Sequence, residues 1–109
     1  MKEDTIMAKA YFTLTGVNHY FGSEFMKKGM EVKLVKEPDN QHDKEAICVE
    51  LEGLGKVGYV ANSSFTVMGD SMSAGRLYDK MGETARGKVV YVTPSGVLCK
   101  VCKKDMVVL

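Results

Sequence analysis

A polar stretch between two apolar runs contains the side chains best suited to binding a ligand. Residues 38–43 read Pro-Asp-Asn-Gln-His-Asp, so Asn40, His42 and Asp43 bring together an amide, an imidazole and a carboxylate. These groups donate and accept hydrogen bonds, and the imidazole ring can also stack on a flat ligand. The proline and the Asx residues favour a turn. Asp43 could equally cap this turn by accepting a backbone N–H, and the two roles are compatible.

A second group of ring side chains follows the first apolar run, at residues 18–22 (Asn-His-Tyr-Phe-Gly). Successive residues of a strand point to opposite faces, so the rings cannot all enter one core. At least one of His19 and Tyr20 is therefore expected to be exposed. Two interpretations remain open: an aromatic cap on the end of a barrel, or a platform on which another ring stacks.

The sequence gives little support for a catalytic site. His42 and Asp43 are adjacent, and neighbouring side chains seldom point at each other. No serine in a strained turn, phosphate-binding loop or pair of acids accompanies them. The glycines of residues 53–55 (Gly-Leu-Gly) lack the downstream glycine and helix of a dinucleotide loop. We expect no catalytic residue, with a metal-dependent hydrolase or nuclease accessory as the least favoured alternative.

The cysteines are expected to be ordinary thiols and not metal ligands. Cys99 and Cys102 have C-x-x-C spacing, but they lie in a predicted strand, where residues three apart point to opposite faces. Four-ligand zinc sites usually show two close pairs, and only this pair is present. Cys48 alternates with apolar strand residues. We therefore expect no cofactor, with zinc as a weak alternative, and reduced thiols.

Composition limits the remaining possibilities. The chain has 109 residues and a mass of 12.0 kDa, and 45% of its residues are hydrophobic, which fits one domain with a real core. No apolar run approaches the ~20 residues needed to span a bilayer, and the first residues are too polar for a signal peptide. A cytoplasmic location without membrane association is expected. The formal charge of +1 neither supports nor excludes nucleic-acid binding.

Alternating apolar residues predict six strands, at residues 9–17, 30–36, 46–51, 56–60, 85–92 and 97–103. The second, third and fourth are expected to pair in sequence. In the fifth, alternation puts Val89 and Tyr91 on the same face. Residues 71–80 predict a helix of about two to three turns. The fold class is therefore mainly β, a small six-stranded OB-like or SH3-like barrel with a helical insertion between the fourth and fifth strands.

The domain boundaries follow from the same pattern. Residues 1–8 show no periodicity and are expected to be a flexible start, residues 9–103 form the barrel domain, and residues 104–109 form a short apolar tail. The tail could add an edge strand or pack on a neighbouring molecule.

The stretch from residue 35 to 47 (VKEPDNQHDKEAI), followed by Gly58, Tyr59 and Val60, resembles the signature of the HIRAN domain. That family reads approximately as arginine or lysine, glutamate, proline, asparagine or aspartate, asparagine, two variable positions, aspartate, two more, alanine and isoleucine. A glycine, an aromatic residue or histidine, and an aliphatic residue come later. Residues 16–22 (GVNHYFG) resemble the exit of the family's first strand.

The resemblance implies a six-stranded barrel that binds single-stranded DNA, in the studied eukaryotic members by its 3′ end. The family's aromatic pair aligns with His19 and Tyr20. His42 aligns with a loop residue that stacks on a base, Asp43 with the acid that meets the terminal hydroxyl, and Asn40 with a loop amide that holds this end. Tyr59 belongs to the second motif. Family members are commonly fused to helicase-type ATPases or nucleases, which could be partners of this shorter chain.

The chain departs from the DNA-binding members at several of these positions. His19 and His42 replace tyrosines, Asn18 replaces an arginine and Asn62 replaces a lysine. Base stacking contributes ~1–3 kcal/mol per base, so weaker platforms reduce the expected affinity. Three lysines could compensate if they face the same groove: Lys36, Lys44 and Lys56.

We therefore expect a non-catalytic module that binds single-stranded nucleic acid, most simply DNA, at His19, Tyr20, Asn40, His42, Asp43, Asn18, Asn62 and Tyr59. The alternative is a protein-interaction or self-assembly domain in which the exposed rings and the apolar tail contact a partner. The sequence leaves open the oligomeric state and whether the domain prefers DNA or RNA.

Overall fold

Six strands close into an antiparallel barrel in the computed structural model, which describes residues 10–107. The strands are β1 (Tyr11–Thr15), β2 (Glu31–Lys36), β3 (Ile47–Leu51), β4 (Gly55–Val60), β5 (Thr84–Thr93) and β6 (Gly96–Val101). Their order around the barrel is β1-β4-β3-β2-β5-β6, and β6 pairs with β1 to close it. The predicted mainly β, six-stranded barrel is confirmed, as is the pairing of β2, β3 and β4 in sequence.

The core follows from the alternation of apolar residues along the strands. Phe12 and Leu14 of β1 are fully buried, and so are Leu34 of β2 and Ile47 and Val49 of β3. Each buried side chain of this size contributes about 1.5–3 kcal/mol through removal of apolar surface from water. The other face is not uniformly exposed, since the insertion after β4 covers part of β1. Thr13 of β1 lies on this covered face, and its buried hydroxyl bonds Ser71 Oγ at 2.8 Å and accepts the Met68 N–H at 3.0 Å.

The expectation that Val89 and Tyr91 share a face of β5 is wrong. Val89 pairs with Cys99 and Tyr91 with Leu98, so Val90 is an extra residue in the ladder, a β-bulge. A bulge shifts the alternation by one residue. Val89 is consequently buried, whereas the ring of Tyr91 is 62% exposed.

The predicted helix of residues 71–80 is reduced to one short helix, α1 (Ala74–Tyr78). Met72 is not helical, because its N–H donates to the Tyr11 carbonyl at 2.7 Å and it bridges Phe12 in a parallel arrangement. The helix starts after Ser73, whose Oγ accepts the Arg76 N–H at 3.3 Å. The insertion between β4 and β5 is therefore mostly turns that lie over the edge of β1.

The first strand is shorter than predicted. Gly16 does not lie within it but ends it, at φ 78°, a left-handed conformation that glycine adopts without steric cost. A 3₁₀ turn, Val17–His19, follows at once, and a second one, Ser23–Phe25, precedes β2. The ring-bearing segment is thus a pair of tight turns and not an extended strand exit.

The beginning of the apolar tail contacts the barrel of its own chain. After a 3₁₀ turn, Lys103–Asp105, Met106 forms a bridge with Met81 and packs against the core. Asp105 accepts hydrogen bonds from the backbone N–H of Arg86 at 2.9 Å and from its Nε at 3.2 Å. The predicted flexible start, residues 1–8, and the last two residues of the tail lie outside the described residues. Among the described helices, none has the length and apolar character needed to cross a membrane.

Candidate functional site

A pocket of about 410 Å³ opens where the ring-bearing turns meet the connection between β2 and β3. Ala46 and Val60 form its apolar part. The side chains around them include five that the sequence singled out: Tyr20, Asn40, His42, Asp43 and Tyr59. The ring-bearing turns and the polar loop therefore share one solvent-facing hollow, although they come from separate parts of the chain.

Asn40 shapes the loop from inside. Its Oδ1 accepts the backbone N–H of His42 at 2.8 Å and that of Asp43 at 3.0 Å, the pattern of an Asx turn. Its Nδ2 donates to Glu37 Oε1 at 3.1 Å. Both ends of the amide are thus engaged within the protein, and this holds the His42 and Asp43 side chains at the pocket.

Asp43 has both a structural role and capacity for a ligand. Its Oδ1 accepts the Glu45 N–H at 2.9 Å, which caps the turn, and its Oδ2 accepts Asn62 Nδ2 at 2.7 Å. The Oδ1 of Asn62 in turn accepts the Gly75 N–H at 2.9 Å, which ties the loop to α1. An ionised carboxylate has about four acceptor positions, so Asp43 can accept a further hydrogen bond from a hydroxyl.

A polar cluster that the sequence did not reveal adjoins the pocket and includes two of its lining residues. This Glu37 cluster consists of Glu37, Asn40, Lys56 and Tyr59. Glu37 Oε2 pairs with Lys56 Nζ at 2.9 Å, and its Oε1 accepts the Tyr59 hydroxyl at 2.8 Å. Lys56 Nζ also donates to the Tyr59 hydroxyl at 2.9 Å. The sequence feature that could have indicated the cluster is a glutamate at the end of β2, directly before a proline. The neighbouring sequence does not identify the partners of this glutamate.

The electrostatics of the Glu37 cluster favour the charged pair. Partial burial alone would raise the pKa of Glu37, yet hydrogen bonds from Lys56, Asn40 and Tyr59 outweigh it and lower the pKa from 4.5 to about 2. Hydrogen bonds with Tyr59 and Glu37 raise the pKa of Lys56. Burial is the largest cause of the raised pKa of Tyr59, so this ring stays neutral. Tyr59 thus offers the pocket a neutral ring fixed in position.

Tyr20 is the ring of the first segment that reaches the pocket. It caps the 3₁₀ turn, since its backbone N–H donates to the carbonyl of Val17, which is buried, and its side chain lines the pocket. Asn18 and His19, between them, are exposed and do not line the pocket. Asn62 adjoins the pocket through its bond to Asp43 and is not part of the lining. Of the predicted aromatic pair, the structure therefore brings only Tyr20 to the loop.

Two of the three lysines considered as phosphate ligands are engaged elsewhere. Lys36 Nζ donates to the Met81 carbonyl at 2.9 Å and lies 4.2 Å from the centroid of the Tyr78 ring. Lys56 is held in the Glu37 cluster. Lys44, next to Asp43, is exposed and remains able to approach a bound phosphate.

The cysteines are free thiols, with Cys48 and Cys99 buried and Cys102 half-buried. Burial is the largest cause that raises the pKa of Cys48, and the sole cause for Cys99, in each case to about 12. Between residues 10 and 107, no three His, Cys, Asp or Glu side chains come close enough to hold a metal ion.

Comparison with known proteins shows which family the chain belongs to. The model of the HIRAN domain matches residues 7–102. The chain belongs to the HIRAN domain family. HIRAN domains are known as nucleic-acid-binding modules.

A solved HIRAN domain has the same fold. The crystal structure of the HIRAN domain of human HLTF superimposes with a TM-score of 0.57 and 20% sequence identity, covering 82% of this chain and 69% of that one. At this identity the similarity concerns the fold. A search of the curated proteins found no match.

Proposed function

We propose that this HIRAN domain binds single-stranded nucleic acid, with DNA as the first candidate, and holds the terminal 3′ nucleotide in the pocket. The observation that carries the proposal is the convergence of Tyr20, His42 and Asp43 on one hollow. Two rings can stack on bases, and the carboxylate can accept a hydrogen bond from a terminal hydroxyl. Asn40 holds the loop that carries His42 and Asp43, and the other members of the Glu37 cluster hold Asn40 and Tyr59.

The roles follow from the contacts of each side chain. Tyr20, 40% exposed, and His42, also exposed, are the stacking surfaces, while Tyr59, held by Glu37 and Lys56, forms a fixed part of the lining. Lys44 is the cation best placed to approach a phosphate beside Asp43. Because the lining contains few cations, binding depends on stacking and on recognition of the end more than on charge. The domain performs no chemical step in this proposal.

The test compares labelled oligonucleotides that carry a free 3′ hydroxyl or a 3′ phosphate, by fluorescence anisotropy at low salt. The wild-type protein should bind the free end more tightly by roughly 10- to 150-fold, since a hydrogen bond to a charged acceptor contributes about 1.5–3 kcal/mol. Asp43→Asn keeps an oxygen for the turn and should abolish the preference. If the wild type binds both oligonucleotides equally, the pocket does not recognise the 3′ hydroxyl. If it binds neither, the domain does not bind single-stranded DNA and the proposal is wrong.

A second candidate, a protein-interaction surface, is favoured by a specific observation. The rings of Phe21 and Phe25 are 42% and 50% exposed and meet edge to face at 5.7 Å between centroids. Their position beside Tyr20 would suit an apolar partner. Sedimentation of wild type and Phe25→Ser separates the two: self-association that the variant loses favours this candidate, and monomers in both leave it unsupported.

A further inference from the structure

Next to the pocket lies a second hollow that the binding site described above does not use. It has a volume of about 580 Å³ and is formed by the turns between β4 and α1. Asn62 joins the two hollows, because its Nδ2 bonds Asp43 of the pocket while its Oδ1 accepts the Gly75 N–H beside the second hollow. A nucleic-acid strand whose 3′ end occupies the pocket can therefore continue over Asn62 into the second hollow.

The polar side chains of the second hollow suit a phosphodiester backbone. Its lining includes the hydroxyls of Ser63, Ser64 and Ser73 and the guanidinium-bearing side chain of Arg76, which is exposed. Serine hydroxyls and arginine are common phosphate ligands in protein–DNA contacts. Asp70 also lines the hollow and opposes an anion. With one cation, Arg76, and one acid, Asp70, the hollow suits contact with a single phosphate of a strand and does not suit a ligand that carries several negative charges.

The turn that lines this hollow also carries a strongly exposed ring. Phe65 is 96% exposed, the most exposed large apolar side chain among residues 10–107. It lies between Ser64 and Val67, which line the hollow. The turn that carries it is ordered: Ser63 Oγ accepts the Phe65 N–H at 3.0 Å, and the Ser63 carbonyl accepts the N–H of Thr66 at 3.0 Å and of Val67 at 2.9 Å. The ordered turn therefore presents a solvent-facing phenyl ring on which a base can stack.

We infer that the second hollow is a further single-strand subsite, in which Phe65 stacks on a base and Arg76 contacts a phosphate on the 5′ side of the terminal nucleotide. This inference rests on the proposed function, because it extends the same strand from the pocket across Asn62. It predicts a footprint longer than the pocket and adds two binding residues that the family motifs do not include. A protein partner that docks on Phe65 alone would need none of this continuity.

The experiment measures the affinity of oligothymidylates with free 3′ ends of about three and about ten nucleotides, since single-strand sites on related barrels span roughly 4–16 nucleotides. The wild type should bind the longer strand more tightly. Phe65→Ala should weaken binding of the longer strand by roughly 5- to 150-fold, the equivalent of one lost stacking contact, and leave the shorter strand unchanged. Tyr91→Ala, which removes an exposed ring that lines neither hollow, is the matched control and should change neither affinity.

A substitution that preserves stacking supplies a positive signal. The chain contains no tryptophan, so Phe65→Trp introduces a single indole, which can be excited selectively in the presence of the tyrosines. This variant should keep the affinity of the wild type, and its emission should be quenched by the longer strand and not by the shorter one. Arg76→Ala should reduce the salt dependence of binding of the longer strand by about 0.7 in the slope of log K against log salt, the value for one phosphate contact on a single strand.

The outcomes separate this inference from the proposed function. If the wild type binds neither strand, the proposed function itself fails. If it binds both strands with equal affinity, or if Phe65→Ala and Arg76→Ala bind the longer strand as well as the wild type does, the second subsite is wrong while the pocket stands. A weaker longer-strand complex in both variants, with the shorter strand unaffected, supports it.

Discussion

Replacing Glu37 by glutamine removes the charge at the centre of the Glu37 cluster while keeping an oxygen that accepts hydrogen bonds. In the wild type the pKa of Glu37 falls from 4.5 to about 2. At about 1.4 kcal/mol for each pKa unit, this corresponds to about 3 kcal/mol of stability. The Glu37 and Lys56 side chains are 24% and 34% exposed, and screening by water reduces the effect. We therefore expect Glu37→Gln to lower the free energy of unfolding by about 1–2 kcal/mol at pH 7.

The pH dependence gives the sharper test. A carboxylate whose pKa is lowered by folding stabilises the protein above its unfolded value, here 4.5, and this contribution is lost as the pH falls through about 2. The difference between wild type and variant should fall to about two fifths of its pH 7 value by pH 3. Urea unfolding followed by circular dichroism measures both. Glu52→Gln, in the exposed turn between β3 and β4, is the control and should match the wild type at either pH.

An equal difference at pH 7 and pH 3 would refute this reasoning. It would mean that Glu37 supports the pocket through its shape and neutral hydrogen bonds, and that its charge contributes nothing. In that case the orientation of Tyr59 would not depend on the ion pair with Lys56.

Further predictions concern the core, the thiols and the salt dependence of binding. Gly58→Ala should destabilise the barrel by about 2–3 kcal/mol, because a Cβ there would lie 2.5 Å from a backbone oxygen of β1; Gly82→Ala, with nothing within 4 Å, is the control for the same denaturation assay. Ellman's reagent should label Cys102 in the native protein at pH 8 and reach Cys48 and Cys99 only after unfolding, since burial raises the pKa of both to about 12. The slope of log K against log salt for oligonucleotide binding should be shallower than about −2, and a steeper slope would indicate several unrecognised phosphate contacts.

Much of the barrel could be predicted because its signal is local. Half-buried strands place apolar residues at every second position, as Val32 and Leu34 do in β2 and Ile47, Val49 and Leu51 do in β3, and the bounds of both strands agree with this spacing to within a residue. The bulge at Val90 could not be predicted, since an extra residue in a ladder is defined by the register of the partner strand. The helix was overpredicted because Met72 fits a helical period but bonds to the edge of β1 instead.

The candidate site was partly accessible to sequence reasoning. The residue types of the polar loop indicated a binding function, and the family motif indicated which ones to consider. The Glu37 cluster was not accessible, because Glu37 and Tyr59 are 22 residues apart and meet only through the pairing of β2 with β3 and of β3 with β4. Phe65 was likewise missed: one phenylalanine in a serine-rich turn gives no periodic signal, and its 96% exposure is a property of the fold.

A chemical-shift titration shows where on the barrel a single strand binds. With ¹⁵N-labelled protein and a short oligonucleotide that carries a free 3′ end, we expect the largest shifts on the residues around the pocket, including Tyr20, His42, Asp43 and Tyr59. Shifts concentrated on the turn between β3 and β4 and on the neighbouring residues of β5, with the pocket unchanged, would contradict it.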